Sequence, residues 1–483
     1  MTTPQSIVAR WALVAVLPFW SVYFAHVMLG ANRPTGFIIL DCAYYCANGR
    51  EIFERGNGLA YCNPYDPDPA APVIYWHWLP WLLGAGTRIL GLDTGFTLCL
   101  LGAIGGLACA WLTFRLVEAV LPTSRFLVPC FLFTMWGGGL LVLSAVATNL
   151  ALGRPPLTFL LQHDPFEGMW FLNWGRNLIL PTEAVYHALA VGAWLAAVRD
   201  RPWTAVGCVA ALAATHPFSG IQQLLVVGAW FAWRALTRLR LEWPAVAHLA
   251  VFLAFCSYYF GYLPRFPQHQ DIHGRWSLEW NLGLVSLLAA GVPVFALAAA
   301  RCWRDRHHWR PEMTFFLIAA AVSLTLAKHE LFVPARQPLH FTRGYTWLPL
   351  CLLGLPLVQQ GLGLVRAPPR GPHSAHRGRG GIRRARQRDL PRRHVESARR
   401  SASRLPHVTG ARRCLRVSGK RQHDGHPARD QPGRRFMGGL QLSLRHLHGD
   451  DATARPSLPH TELRCAHRRS PRVVSTWCYV SRA

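Results

Sequence analysis

The sequence predicts an all-α fold: a polytopic bundle of about 10–12 transmembrane helices, an outer first loop bearing short interfacial helices, and a disordered basic C-terminal tail. Three observations carry this. Apolar stretches of about 20 residues, the length a helix needs to cross a hydrocarbon core, recur between residues 11 and 365. Half of the chain is hydrophobic (51%) and 20 residues are Trp, although the formal net charge is +27; a soluble basic protein does not combine these. The charge is also uneven: residues 1–366 hold 24 Lys+Arg against 17 Asp+Glu, and residues 367–483 hold 27 against 7. Of the aromatic residues, only Phe436, Trp477 and Tyr479 lie beyond 366. The chain therefore reads as a membrane domain, residues 1–366, and a tail, residues 367–483. This composition argues against the ordinary soluble-enzyme classes.

The candidate crossings are 11–30, 73–90, 95–116, 126–152, 177–198, 244–263, 282–300, 313–333 and 345–365. A further apolar run, 203–233, is interrupted by Thr215, His216, Pro217, Phe218, Ser219 and Gly220. Pro, Ser and Gly together disfavour a straight helix, so this run predicts two short helices in a hairpin. The first helix shows no clear small-residue cleavage site and is expected to remain as an anchor.

Arginine sets the orientation, because Lys328 is the only lysine before residue 366. The segment 301–310 is the most basic short loop and is expected in the cytoplasm, with Arg199, Arg201, Arg234, Arg238 and Arg240. Loops 153–176, 264–281 and 334–344 then lie outside, and Arg10 places loop 31–72 outside as well. Counting between these anchors leaves one odd crossing within 73–152. The run from Phe126, with Gly137, Gly138 and Gly139 inside it, can form another short hairpin.

The first outer loop is the most informative stretch. It contains Asp41, Cys42, Ala43, Tyr44 and Tyr45 directly after the first crossing, then Asn63, Pro64, Tyr65, Asp66, Pro67 and Asp68 before the second. An acid at the membrane face is costly unless it is paired or functional. Residues 44–53 predict a short amphipathic helix lying along the interface.

One long helix, an acid motif at the membrane face, an Asn-Pro-Tyr segment and then many helices: this order resembles the GT-C superfamily of integral-membrane glycosyltransferases. The resemblance covers roughly residues 8–365 as an architecture, and its sharp part is residues 41–45 and 63–65. It implies an enzyme of the bacterial inner membrane. Such an enzyme transfers a sugar from a polyprenyl-phosphate donor to a glycan, lipid or protein acceptor at the outer face, in some members with a divalent metal. The matching acid here is Asp41, as catalytic base or acceptor organiser. Cys42 follows it where relatives carry a more evident acidic pair. A carboxylate within hydrogen-bond reach can take the proton of an attacking hydroxyl, and the leaving phosphate needs positive charge.

Substrate-binding candidates are Tyr44, Tyr45, Asp66, Asp164, Glu167, His216 and Arg343. Arg343, with Arg336 and His340 nearby, is the phosphate candidate because a guanidinium makes bidentate contacts to phosphate. Asp164 and Glu167 supply a second acid cluster beside Trp170 and Trp174, whose rings suit sugar stacking. His216 interrupts a membrane segment at depth, where irregular backbone needs cover from protein or water. Each has a structural reading beside the functional one. Asp41 also suits a helix N-cap, Arg343 a snorkelling arginine, Asp66 and Asp68 turn residues, and the Trp residues a membrane belt. Glu183 and His187, four apart on one helix face, read first as a structural pair.

Cys42, Cys46 and Cys62 share the outer loop, where Cys46–Cys62 or Cys42–Cys62 could form a disulfide. Their spacing with His77 matches no strong zinc pattern. The tail has no persistent period, and its charge predicts disorder. The chain uses 49 Arg and two Lys, which suggests GC-rich coding DNA. Out-of-frame reading of such DNA yields this Arg/Pro/His mixture, so a frameshift near codon 366 is expected. Nucleic acid is a partner only if the tail is authentic. A transporter, a flippase or a non-catalytic assembly protein is the alternative, although no internal repeat of the kind common in transporters is evident.

Overall fold

The computed structural model describes residues 4–26, 40–63, 66, 68, 70–122, 124–137, 141–156, 173–275 and 283–365. The chain divides into two units, Met1–Gly378 and Arg379–Ala483, and every described residue belongs to the first. The tail lies outside the described residues. Among those described, regular structure is helical apart from one isolated antiparallel bridge between Tyr61 and Tyr75. Three helical stretches are long and apolar enough to cross a membrane: Thr94–Val120, Trp243–Arg265 and Trp347–Val365.

Helix α1 (Pro4–His26) leads to α2 (Leu40–Glu54) and α3 (Trp78–Arg88). The apolar run 73–90 is thus helical over only 11 residues, about 16 Å at 1.5 Å per residue, which is half of a hydrocarbon core. Helix α3 packs on α2 instead. Their backbones touch through two glycines. A Cβ added at Gly49 would stand 2.6 Å from the Pro80 carbonyl oxygen, and one at Gly84 would meet the Gly49 carbonyl.

Helix α4 (Thr94–Val120) begins at Asp93, whose carboxylate accepts the Phe96 N–H, an ordinary N-cap. The run 126–152 is divided into α5 (Leu127–Trp136) and α6 (Leu141–Ala151) by a break at Gly137. A 3-10 turn (Gly175–Ile179) then leads into α7 (Pro181–Val198). Helix α7 packs on α4 more extensively than any other pair packs. Small residues on α4 permit this: Gly102 lies against Pro181, Gly105 against Ala184 and Val185, and Gly106 against Trp20 of α1. At their far ends Arg199 meets Glu118 at 3.5 Å, so α4 and α7 run parallel.

The interrupted run 203–233 forms α8 (Pro202–Ala213) and α9 (Pro217–Arg238), broken at 214–216 as its Pro, Ser and Gly content predicts. Helix α10 (Trp243–Cys256) continues through a π turn (Ser257–Tyr262) and a 3-10 turn (Leu263–Arg265) to α11 (Pro267–Arg275). Next come α12 (Leu284–Arg304), α13 (Pro311–Ala327) and α14 (Trp347–Val365). The apolar window of α10 is only 17% buried, against 44% in α4 and in α14. Helix α10 is therefore peripheral, with Leu249 and Leu253 exposed.

The two ends of the bundle differ chemically. One is held by arginine pairs: Arg234 with Asp200 and Glu242, Arg238 with Glu242, and Arg301 with Asp305. There Arg304 also donates to Gln360 at 2.7 Å, joining the end of α12 to α14. The other end gathers histidines and tyrosines.

The Gly49–Gly84 contact gives a direct test. Gly49→Ala forces backbone apart and is expected to destabilise the protein by about 1–3 kcal/mol, read as a lower unfolding temperature in detergent. Gly207→Ala, in the interior of α8 with nothing within 4 Å of the new Cβ, should be neutral or stabilising.

Candidate functional site

Six segments meet at the histidine–tyrosine end: the start of α2, the 61–77 loop, the first turns of α7, the α8–α9 break, the π turn after α10, and residues 338–346. Each delivers a polar side chain by a local device.

Pro217 at the first position of α9 ends the preceding chain and leaves His216 as N-cap, with extended backbone and Nδ1 accepting the Ser219 N–H at 3.1 Å. This holds the buried His216 ring parallel to Tyr186, with centroids 4.4 Å apart. Tyr45, one helical turn after Asp41 in α2, is an electrostatic neighbour of Tyr186, whose hydroxyl is buried with no hydrogen-bond partner among the described residues. The Asp41 backbone lies in the first turn of α2, and its side chain is outside the described residues. Tyr44 lies edge-on to Tyr45, with centroids 5.8 Å apart.

Opposite stands a buried ion pair between Glu183, in the first turn of α7, and Arg343. Arg343 also donates to Nδ1 of His340, whose ring stacks on Phe218 and lies 6.3 Å from the His216 ring. His187 completes the corner. Its Nδ1 and Nε2 lie 2.7 Å and 2.8 Å from the carbonyl oxygens of Glu183 and Arg343, and its ring stacks on Tyr345. Gly344 has φ +77, and a Cβ there would stand 2.8 Å from the Cα of Trp174. Only glycine combines that backbone with so close an approach. The second Glu183 oxygen and the Thr215 hydroxyl are buried with no hydrogen-bond partner among the described residues. Such atoms cost about 1–3 kcal/mol each, and both belong to this site.

A second layer fastens the first loop. The Tyr61 hydroxyl and His77 Nδ1 are 2.5 Å apart, and His77 Nε2 and the Tyr259 hydroxyl 2.8 Å apart. Tyr258 accepts the Trp76 N–H and donates to the Ile74 carbonyl, at 2.9 Å and 3.1 Å. The π turn presents Tyr258 and Tyr259 side by side for this, a use typical of π turns at functional sites.

Of the residues expected from sequence, the structure brings Tyr45, His216 and Arg343 to this end, with Tyr44 beside Tyr45. Arg343 arrives already paired with Glu183. Asp66 behaves as a turn residue: its carboxylate accepts the Asp68 N–H at 3.0 Å. Asp164, Glu167 and Trp170 lie outside the described residues. Trp174 is fully buried and donates to Thr113 at 3.2 Å, so it is core rather than a sugar platform. Cys62 donates to Glu51 rather than approaching Cys42 or Cys46, and burial together with that carboxylate pushes its thiol up to about 11. Tyr61, Tyr186 and Tyr259 were not singled out from sequence, and His77 was weighed there only as a zinc ligand. Only the Tyr75-Trp76-His77 run and the Tyr258-Tyr259 pair mark them locally. Among the described residues no three His, Cys, Asp or Glu side chains form a donor set for a metal ion. Comparison with protein-family models, curated proteins and solved structures returned no match.

Burial holds His340 down to about 4, well below an ordinary histidine. The neutral ring is also the form that can accept from Arg343; protonation would set two cations face to face. The folded state thus disfavours the proton, and the stabilisation is complete above about pH 6.5 and lost as pH falls toward 4. We expect stability to fall by roughly 1–3 kcal/mol over that interval. His340→Asn, whose Oδ1 can still accept from Arg343, should flatten this part of a pH–unfolding profile. An unchanged slope would place the titration elsewhere.

Proposed function

We propose that this chain is a polytopic membrane glycosyltransferase of the GT-C type. It transfers a sugar from a polyprenyl-phosphate donor to an acceptor hydroxyl at the outer face of the bacterial inner membrane. The supporting observation is the convergence just described. Polar groups from six segments, buried in four of them and half-buried in the start of α2 and the π turn, meet at the end of the bundle opposite the arginine pairs, with partnerless oxygens of Glu183 and Thr215 among them.

The arginine end suits the cytoplasm. With α2 and α3 together forming an outer layer, α1 leads outward and α4 inward, and α5 with α6 forms one interrupted crossing. The parallel packing of α4 and α7 supports this arrangement, which leaves no odd crossing within 73–152. Ten passes result: α1, α4, the α5–α6 pair, α7, α8, α9, α10, α12, α13 and α14, of which α8, at 12 residues, covers only part of the core by itself.

In the reaction the acceptor oxygen bonds to the anomeric carbon while the bond from that carbon to the phosphate oxygen breaks. Asp41 takes the acceptor proton, and polyprenyl phosphate leaves. Tyr45 and Tyr186 donate to sugar hydroxyls. Arg343 supplies positive charge to the phosphate, which requires Glu183 to yield its hold on the guanidinium or to take up a proton. The described side chains do not form a divalent-cation site, and no step here runs through one.

Asp41→Asn should lower sugar transfer from a labelled polyprenyl-phosphate donor by about 100-fold or more in membranes, with unchanged expression and unfolding temperature. Full transfer by that variant removes Asp41 from the chemistry. The broken α8–α9 run also suits a transporter. Membranes that move the lipid-linked sugar across the bilayer without transferring it would favour that reading.

A further inference from the structure

A cavity of about 240 Å³ opens where the last turns of α2 and α3 meet the start of α4. Arg50, Glu54, Arg88 and Asp93 line it, so it carries both signs of charge and no net charge. Arg50 and Glu54 already pair at 2.9 Å, but this is an exposed pair along one helix, a kind worth little and readily opened. Arg88 and Asp93 stand at the two ends of the turn that joins α3 to α4. The Arg88 guanidinium makes no hydrogen bond or ion pair among the described residues. Asp93 uses one carboxylate oxygen to cap α4, and the other has no partner among the described residues. The turn thus presents an uncommitted cation and an uncommitted anion to one cavity. An apolar surface continues from it. Ile89 and Leu90, directly after Arg88, are exposed, and so are Phe96, Leu100, Ile104 and Leu107. The last four fall on one face of α4 and span about 16 Å along its axis, about the depth of one leaflet of a bilayer. Helix α4 is long and apolar enough to cross a membrane. A crossing by α4 lays this stripe against acyl chains and puts the charged cavity at headgroup level.

We propose that this cavity binds the headgroup of a zwitterionic phospholipid, with the phosphate on Arg88, the primary ammonium on Asp93 and an acyl chain along the α4 stripe. A guanidinium holds phosphate through paired N–H donors, and the open Asp93 oxygen accepts from the ammonium. A headgroup with the phosphate but no ammonium sets its negative charge beside Asp93 with nothing to offset it, so the cavity discriminates by charge pattern. Because α2, α3 and α4 all contribute to the cavity, the bound lipid braces the α2–α3 layer against the membrane bundle. The proposal rests on α4 crossing the membrane and is independent of the sugar-transfer reaction.

The full chain, purified in detergent and stripped of lipid, is titrated with phosphatidylethanolamine or phosphatidylglycerol and read by native mass spectrometry. The first phosphatidylethanolamine should be held about tenfold more tightly than the first phosphatidylglycerol. Arg88→Gln should weaken phosphatidylethanolamine binding by a similar factor. Asp93→Asn retains a good N-cap, so its unfolding temperature should be unchanged while the preference between the two lipids is lost. Equal retention of the two lipids by the unaltered chain overturns the proposal. So does phosphatidylethanolamine binding unchanged in Arg88→Gln, or a preference unchanged in Asp93→Asn. Glycerophosphoethanolamine, the soluble headgroup without acyl chains, should not displace the bound lipid at equal concentration. Displacement by it would assign the cavity to a free zwitterion and overturn the lipid. None of these measurements reads sugar transfer, so their failure is separate from failure of the glycosyltransferase reading.

Discussion

The buried pair of Glu183 and Arg343 is the constraint around which the polar end of the bundle is arranged. Removing one partner of such a pair costs about 3–5 kcal/mol, because the remaining charge is left without compensation away from water. Glu183 is well placed to hold it, since a carboxylate in the first turn of α7 is favoured by the helix dipole. Arg343 reaches it from the loop before α14, so the pair ties the start of one helix to the approach of another 160 residues later. His187 reinforces the tie through the Arg343 carbonyl, and Trp174 and Tyr345 pack around its ring. His340 depends on Arg343 for its hydrogen bond, and through His340 the arrangement extends to Phe218 and His216.

Close helix packing makes this possible. With Gly102 and Gly105 of α4 against the first turn of α7, two backbones approach without intervening side chains. Glu183 is thereby presented at the interior of the bundle. At the far end of the bundle charge is handled differently, by several arginine pairs whose carboxylates are partly exposed, although the Arg234 side chain itself is buried between Asp200 and Glu242. Glu183 and Arg343 at the polar end are both buried, whereas Asp200, which pairs with Arg234 at the other end, is exposed.

The helices were largely legible because apolar runs and breakers are local properties. The His216–Pro217 interruption is a clear case: a proline that cannot continue a helix and a polar N-cap are both visible in the chain. The run 73–90 was misjudged because hydrophobicity alone does not separate a crossing from a short helix packed on a neighbour. What separates them is Gly49 of α2 fitting Gly84 of α3, a pairing between distant segments. The site was legible in part for the same reason. His216 and Arg343 stood out as polar residues in apolar context. Tyr186 looked like an ordinary aromatic of a membrane helix until His216 was stacked on it. His77 acquires meaning only between Tyr61 and Tyr259, which arrive from opposite sides in sequence.

The hydrogen bond from Arg343 to His340 Nδ1 has a consequence for proton geometry. A neutral imidazole carries one hydrogen, and with Nδ1 accepting, that hydrogen must reside on Nε2. His340 is therefore locked in one tautomer and can offer a hydrogen bond through Nε2 but cannot receive one there. A carboxylate can only receive. If Asp41 and His340 face the same substrate, they impose a direction on it: hydroxyl toward the acid, lone pair toward the imidazole. A group facing Nε2 therefore meets a donor, and Arg343 sets that polarity from the opposite edge of the ring.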